Sequence, residues 1–275
     1  MSLTKQIRYH LYNLFDLHKL EKKAAACAPK YTERPIVSLT TVPKRIPYLK
    51  PTIVSLLKQT VLPKEIHINL GEDFFKGFEI PEFLNDLKMV KIHWVKKDMG
   101  PATKYIPTLE RYKNTSQLIV IVDDDMYYSK KLIEDLATAE KKANGKEVFC
   151  INGFKVPEDL QSASRPSDKA IKGGSQKVAV IEGCGGYTLR PYFVTVDQLS
   201  DLTGAPKRAH YDDDIWLSGH LSRMKIEKIQ IATGKRKSLV NTIESAISGD
   251  RAQLQTDVME HFKSDWKPDE IHKLS

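Results

Sequence analysis

The stretch Gln117-Leu-Ile-Val-Ile-Val-Asp-Asp-Asp-Met-Tyr-Tyr-Ser129 decides how this chain is read. Five apolar residues, Leu118 to Val122, run unbroken into three carboxylates, Asp123, Asp124 and Asp125. A short apolar run without alternation suits a central strand covered on both faces. Ligands of open α/β sheets bind just beyond the carboxyl ends of the strands, so the acidic triplet stands where such a fold does its chemistry. Adjacent carboxylates repel, and a hard divalent cation with oxygen ligands would hold them together. The alternative is a solvated acidic turn opening the next helix, with Ser129 as its cap.

Working outward, strands and helices alternate. Pro35 to Val42 reads as a first strand, ending in the turn Pro43-Lys44-Arg45 before a helix near Leu49 to Gln59. Glu65 to Leu70 and Val90 to Val95 read as strands, with a short helix between them over Pro81 to Lys88. Met99-Gly-Pro-Ala-Thr-Lys-Tyr105 opens a helix to about Tyr112, with Pro101 in a first-turn position. Another helix runs from Ser129 to Asn144 and stops at Gly145. Such βαβ units predict a mainly parallel sheet with helices on both faces. Glu147 to Asn152, Lys177 to Ile181 and Ile226 to Ile231 read as further strands, and Phe193 to Leu199 as a helix. The Ser/Pro/Gly-rich Pro157 to Ser175 reads as a mobile loop. His210-Tyr-Asp-Asp-Asp-Ile-Trp-Leu-Ser-Gly-His-Leu221 opens a helix on which Leu217, Leu221 and Met224 share a face.

The ends read differently. Residues 2–26 predict one helix with Ile7, Leu11, Leu14, Phe15 and His18 at helical spacing and Lys5, Arg8, Lys19, Lys22 and Lys23 around them. Two readings stand: a helix docking its apolar stripe on the body, or a basic amphipathic helix resting on an anionic bilayer. The chain divides into an N-terminal helix (1–30), a catalytic domain (31–232) and a tail (233–275) packing on or near the site.

Composition narrows the class. At 41% hydrophobic and 28% charged the chain is ordinary for a soluble globular protein. Its 43 basic and 35 acidic residues leave a net charge of +8, a moderate excess that suits a phosphorylated substrate or an anionic surface. No basic block with interleaved aromatics points to nucleic acid. Cys27, Cys150 and Cys184 lack CxxC spacing, which argues against zinc and for a reducing compartment. Neither a signal peptide nor a stretch of transmembrane length is legible, so the expectation is a cytoplasmic protein, with peripheral contact to the inner face of the membrane as the bilayer reading.

The ordered set Ile36 to Pro43, Gly100-Pro-Ala-Thr-Lys104, Val122-Asp-Asp-Asp125, Glu182-Gly-Cys-Gly-Gly-Tyr187 and Asp212-Asp-Asp-Ile-Trp-Leu-Ser218 resembles glycosyltransferases of the GT-A fold, close in style to family 2. The resemblance covers about residues 35 to 222 and implies an α/β, Rossmann-like fold. It implies that Thr40, Thr41, Pro43 and Arg45 (or Lys44) face the nucleotide and its phosphates, with Lys104 near the diphosphate. The acidic triplet resembles the DXD motif: Asp125 would be the direct metal ligand, Asp123 would meet ribose or metal-bound water, and Asp124 would be the variable middle position. The metal would be Mn²⁺ or Mg²⁺, which neutralises charge growing on a nucleoside diphosphate leaving group. Gly185, Gly186 and Tyr187 would face donor and acceptor sugars, although a tight glycine hairpin needs no ligand. Asp214 would be the catalytic base and Asp213 its acidic neighbour, because a sugar hydroxyl is a poor nucleophile until its proton is being removed. One of the three aspartates would cap the helix. His261 is a weak further metal candidate beside the simpler reading of a packing histidine.

The function implied is transfer of a sugar, from a UDP-sugar foremost, to an acceptor hydroxyl with inversion, in cell-surface polysaccharide or lipopolysaccharide synthesis. A retaining glycosyltransferase is the near alternative. A sugar-phosphate nucleotidyltransferase would carry a Gly-rich basic loop after its first strand, where this chain has Thr40-Thr-Val-Pro-Lys-Arg45. A non-catalytic glycan- or membrane-binding module would not need carboxylates at both sites.

Overall fold

The computed structural model describes residues 3–26, 33–166, 171, 173–233, 237–238 and 251–274. Cys27, part of the 157–175 loop and most of residues 234–250 lie outside the described residues.

The sheet is built on β1 (Ile36–Thr40), β2 (Ile66–Gly71), β3 (Val90–Val95) and β4 (Ile119–Ile121). These four pair in parallel, in the order β3-β2-β1-β4. After β4 come the two-residue β5 (Met126–Tyr127), then β6 (Glu147–Cys150), β7 (Gly153–Phe154) and β8 (Val156–Pro157). β9 (Ser175–Lys177), β10 (Val180–Ile181), β11 (Tyr187–Leu189), β12 (Glu227–Ile231), β13 (Lys237–Ser238) and β14 (Ile271–His272) follow. The large sheet continues β4-β11-β6-β12-β9, and the short strands pair off as β10-β7, β13-β5 and β14-β8. β11 runs antiparallel to β4 and β6, and β9 antiparallel to β12, while β6 and β12 are parallel. The expected mainly parallel sheet is therefore present.

The described helices are α1 (Leu3–Asn13), α2 (Leu17–Ala25), α3 (Lys50–Leu57), α4 (Ile106–Tyr112), α5 (Leu132–Lys142), α6 (Val196–Ser200), α7 (Asp213–Arg223) and α8 (Arg251–His261). Successive strand residues point to opposite faces. Val37, Leu39, Val120 and Val122 therefore join α2, α3 and α5 in one core cluster. Ile36, Ile119 and Ile121 join α4, α6 and α7 in another. Both faces are covered, which is why the run at Leu118 to Val122 lacks alternation.

Several elements differ from their sequence reading. The N-terminal helix is two helices: α1 ends at Asn13, and Asp16 starts the second by accepting from the Lys19 N–H as its cap. The expected strand over 177–181 splits between β9 and β10 in different sheets. The helix from Gly100 begins as a 3₁₀ turn, Gly100–Lys104, before α4, and 81–88 holds only the 3₁₀ turn Glu82–Leu84. Ser129 does not cap α5, which starts at Leu132. Within 157–175, Ser162–Ser164 is a 3₁₀ turn and Arg165 is anchored over the Phe154 ring. The tail is integrated: Val258, Met259, Phe262 and Trp266 pack with Ile215 and Trp216 of α7. Among the described residues no helix is long and apolar enough to cross a membrane.

Candidate active site

The strand order places β2 and β3 on one side of β1 and β4 on the other. Open α/β sheets form their ligand crevice at such a switch point, and Thr40 to Arg45 and Asp123 to Asp125 emerge there, at the carboxyl ends of β1 and β4.

The middle carboxylate is the most firmly held. Asp124 accepts from Thr41 Oγ1 at 2.5 Å and from Arg45, while Thr52 Oγ1 bonds its main-chain oxygen at 2.8 Å. Arg45 also pairs with Asp125 Oδ2 at 3.0 Å. One guanidinium thus joins the loop after β1 to two members of the triplet, and Asp124 acts as an anchor between the two strand ends. Burial pushes its carboxyl up to about 7, against the pull of Arg45. Thr40 serves the sheet instead, donating to the Asn69 carbonyl of the neighbouring β2 at 2.7 Å. Pro43 lies in the turn whose Val42 carbonyl accepts from the Arg45 and Ile46 N–H groups.

Lys104 ties the two acidic motifs together. It is buried, and its Nζ lies 2.9 Å from Asp123 Oδ1, 2.9 Å from Asp213 Oδ2 and 3.3 Å from Asp214 Oδ1. A buried ammonium loses hydration, but three carboxylates outweigh that loss and its pKa rises well above the ordinary value. Ser38 Oγ donates to the Lys104 carbonyl at 2.7 Å and fixes the 3₁₀ turn against β1. Lys104 is thus not a free surface cation at a helix start; it is the centre of a four-residue charge cluster.

α7 brings up the second acidic motif. Asp212 stands at the N-cap position but makes no capping bond. Its Oδ2 instead accepts from Gln255 Nε2 at 2.9 Å and Arg251 Nε at 3.4 Å, both on α8. The expected capping aspartate is therefore a tether to the tail. Burial pushes the Asp213 carboxyl up to about 8 and raises that of Asp214 as well, against the pull of Lys104. The Asp213 side chain is 8% exposed and that of Asp214 19%. Asp214 Oδ1 accepts from Lys104 and from the Gly183 N–H at 3.1 Å, while Oδ2 has no hydrogen bond among the described residues.

The glycine turn contributes differently from expectation. A methyl on Gly183 would strike Lys104 Nζ and come within 2.5 Å of Asp123 Oδ1. Gly185 instead abuts the Asn152 backbone, and Gly186 takes φ +83°, a left-handed conformation. Close packing explains the first and backbone conformation the second. Tyr187 is fully buried in β11 and does not line an open cleft. Cys184 and the buried Cys150 form no disulfide among the described residues. Gly183 and Tyr128 belong to the site without any local sequence signal that sets them apart from their neighbours. The buried Tyr128 hydroxyl accepts from the Asp123 N–H at 2.8 Å and lies 3.3 Å from the Gly183 carbonyl. Gln255 carried no signal, since nothing in its local sequence points to Asp212.

His261 packs its ring against Trp216 and Phe262. Among the described residues no three His, Cys, Asp or Glu side chains converge as a metal cage, so His261 does not complete one with Asp123 and Asp125. The residues nevertheless fit a hard cation. Asp123 and Asp125 offer oxygen donors with side chains 28% and 25% exposed. Mg²⁺ takes one or two carboxylates and fills its remaining positions with substrate phosphates and water.

No family model matches the chain. No curated protein matches it by sequence. Solved structures do. A mannosyltransferase from Pyrobaculum calidifontis, PcManGT, in complex with GDP-Man and Mn²⁺, aligns with TM-score 0.52 at 12% identity, over 95% of this chain and 79% of its own. GalNAc-T7 with UDP, GalNAc and Mn²⁺ aligns at 0.49 with 10% identity, over 84% of this chain and 48% of its own. An apo UDP-glucose pyrophosphorylase aligns at 0.47 with 9% identity, over 85% and 99%. The last two are too distant to carry an argument. With the strand order described above, the first establishes the architecture: this chain has a mixed α/β fold of the GT-A type.

Proposed function

We propose that the protein is a metal-dependent glycosyltransferase that moves a sugar from a nucleoside diphosphate donor, UDP foremost, to an acceptor hydroxyl with inversion. One observation carries the reading: a single ammonium, Lys104 Nζ, touches both Asp123 of the strand-end motif and Asp213 and Asp214 of the α7 motif. Two acidic motifs 90 residues apart in sequence therefore meet at one buried cation, which supports a shared site. Residues 31–232 form the catalytic part in this reading, with 1–30 and 233–275 as appendages. Polysaccharide or lipopolysaccharide synthesis in the cytoplasm belongs to the same proposal and rests on the resemblance and the cysteine pattern alone.

Each residue has a task. Asp214 takes the acceptor proton through Oδ2, and its raised pKa makes it a stronger base than an exposed aspartate. Lys104 and the Gly183 N–H hold Oδ1, which fixes the direction of the free oxygen. Asp213, the more buried of the two, orients Lys104. Arg45, beside the crevice, can meet a phosphate with a guanidinium already aligned by Asp124. Asp125 and Asp123 would hold the cation, which when bound neutralises the departing diphosphate.

The test has two parts. Thermal unfolding with UDP- and GDP-sugars plus Mn²⁺ should show stabilisation that chelator removes. Asp125→Ala should abolish the Mn²⁺-dependent part, and an unchanged response would remove Asp125 from the ligand set. Asp214→Asn should keep donor binding near normal while turnover drops ~10²-fold or more. Survival of turnover would transfer the base role to Asp213.

A further inference from the structure

α1 turns its apolar stripe outward. Ile7 and Leu11 lie one helical turn apart on α1, Leu14 follows in the turn just beyond its end, and the three are 52%, 55% and 80% exposed. The opposite side of the same helix makes the attachment: Tyr12 stacks on Tyr127 with centroids 3.8 Å apart, and Tyr9 lies 5.8 Å from the Tyr48 ring. Leu17 and Ala24 of α2 are buried, and Glu21 accepts from the Lys88 and Met89 N–H groups at 2.9 and 2.5 Å. Residues 3–26 are thus held to the body by aromatic rings and a buried carboxylate, while three aliphatic side chains face solvent.

The surroundings are cationic. Lys19, Lys22, Lys23 and Lys130 are exposed. Lys58 stands 3.5 Å from the centroid of Phe15, and its ammonium pKa is lowered by burial and by the charges of Lys130 and Lys23. The one exposed acid of α2 and its cap, Asp16, is already engaged by the Lys19 N–H and ammonium. A second copy of the chain would bring like charge against like. Three aliphatic side chains also fall well short of the ~800 Å² per partner that a stable dimer buries.

We infer that this face rests on an anionic lipid bilayer, with Ile7, Leu11 and Leu14 entering the headgroup–acyl boundary and the lysines meeting lipid phosphates. The helix that carries the patch is attached to the segment of the proposed active site, because Tyr12 stacks on Tyr127, two residues beyond Asp125. If the transferase reading holds, the acceptor is presented at the bilayer, as a lipid-linked glycan would be. That corollary rests on the proposed function; the membrane contact does not.

The experiment is co-sedimentation of the full chain with vesicles of phosphatidylglycerol and phosphatidylcholine, against phosphatidylcholine alone. Neither donor nor metal is needed, so its outcome is separate from that of the activity test. Binding is expected on the anionic vesicles only, with release when salt is raised from roughly 50 mM to about 500 mM. Leu11→Ser with Leu14→Ser should keep the Tm and weaken binding at least tenfold, and Lys22→Glu with Lys23→Glu should do the same. No binding to anionic vesicles, or equal binding by the wild type and both double variants, overturns the inference. So does light scattering that shows a dimer lost in Leu11→Ser/Leu14→Ser while neither protein sediments with vesicles.

Discussion

Gly183 shows what a single atom decides. Its hydrogen occupies the point where a Cβ would meet Lys104 Nζ and Asp123 Oδ1, so the cluster closes only around glycine. Gly183→Ala is expected to cost ~1–3 kcal/mol, as overpacking does. It should also lower turnover at least tenfold, because the same shift moves Asp214 Oδ1 off its N–H. Paired thermal unfolding and rate measurements check this, and an alanine variant with wild-type turnover would contradict it. The turn was legible as a glycine-dense segment, but which glycine touches the site was not. Gly183, Gly185 and Gly186 look alike in sequence and differ only in what stands opposite each. The same holds for the aspartates. Three in a row at Asp212 to Asp214 suggested one cap and one base, yet the structure turns the Asp212 side chain to α8.

At the scale of elements, the C-terminal segment is fastened by polar side chains in buried places. Gln255 on α8 donates to Asp212, while its Oε1 accepts from Ser162 Oγ at 2.7 Å and from Arg165 at 3.3 Å. It thereby ties the 162–165 turn to the helix that bears Asp214. At the far end, Lys228 of β12 is fully buried with Glu270 and Ser222, both 2.6 Å from its Nζ. Burial lowers the Lys228 pKa, and Glu270 opposes the fall. Lys228→Met should cost ~3–5 kcal/mol in urea unfolding, since Glu270 is then left buried without its partner. Lys228→Met with Glu270→Leu should recover most of that loss. A double variant no more stable than the single one would show that the pair is not the source. Neither fastening was legible in the sequence, because the Gln255–Asp212 and Lys228–Glu270 contacts each join residues more than 40 positions apart.

For the whole molecule, the buried titratable groups fix a pH dependence with a definite sign. Asp124 and Asp213 rise to about 7 and about 8 through burial. Their unfolded value is about 3.9, so the native state binds more protons, and stability falls as pH rises from about 4 through about 8. His93 and His220 are lowered to about 4, again through burial. Their contribution is present above their unfolded value of about 6.5 and is lost as pH falls through the folded one. Lys104, raised well above its usual value, acts only at alkaline pH beyond this window. The two sets oppose each other below about 6.5, and only the carboxylates act from there to about 8. The urea midpoint should therefore decline between about pH 6.5 and 8, and Asp124→Asn should decline less steeply. Equal slopes in the two proteins would show that Asp124 does not titrate in that range.

The sequence by itself determined the strand–helix alternation, the run that must be covered on both faces, and the two acidic motifs. Those follow from local pattern, since periodicity and turn chemistry act over a few residues. Tertiary structure alone decided that Lys104 is a buried bridge and not a free surface cation. It also decided that Asp124 anchors two loops, that Tyr187 is core, and that the apolar stripe of α1 faces outward. In each case a side chain's surroundings are set by segments tens of residues away, so its burial and charge partners exist only once the sheet has brought those segments together.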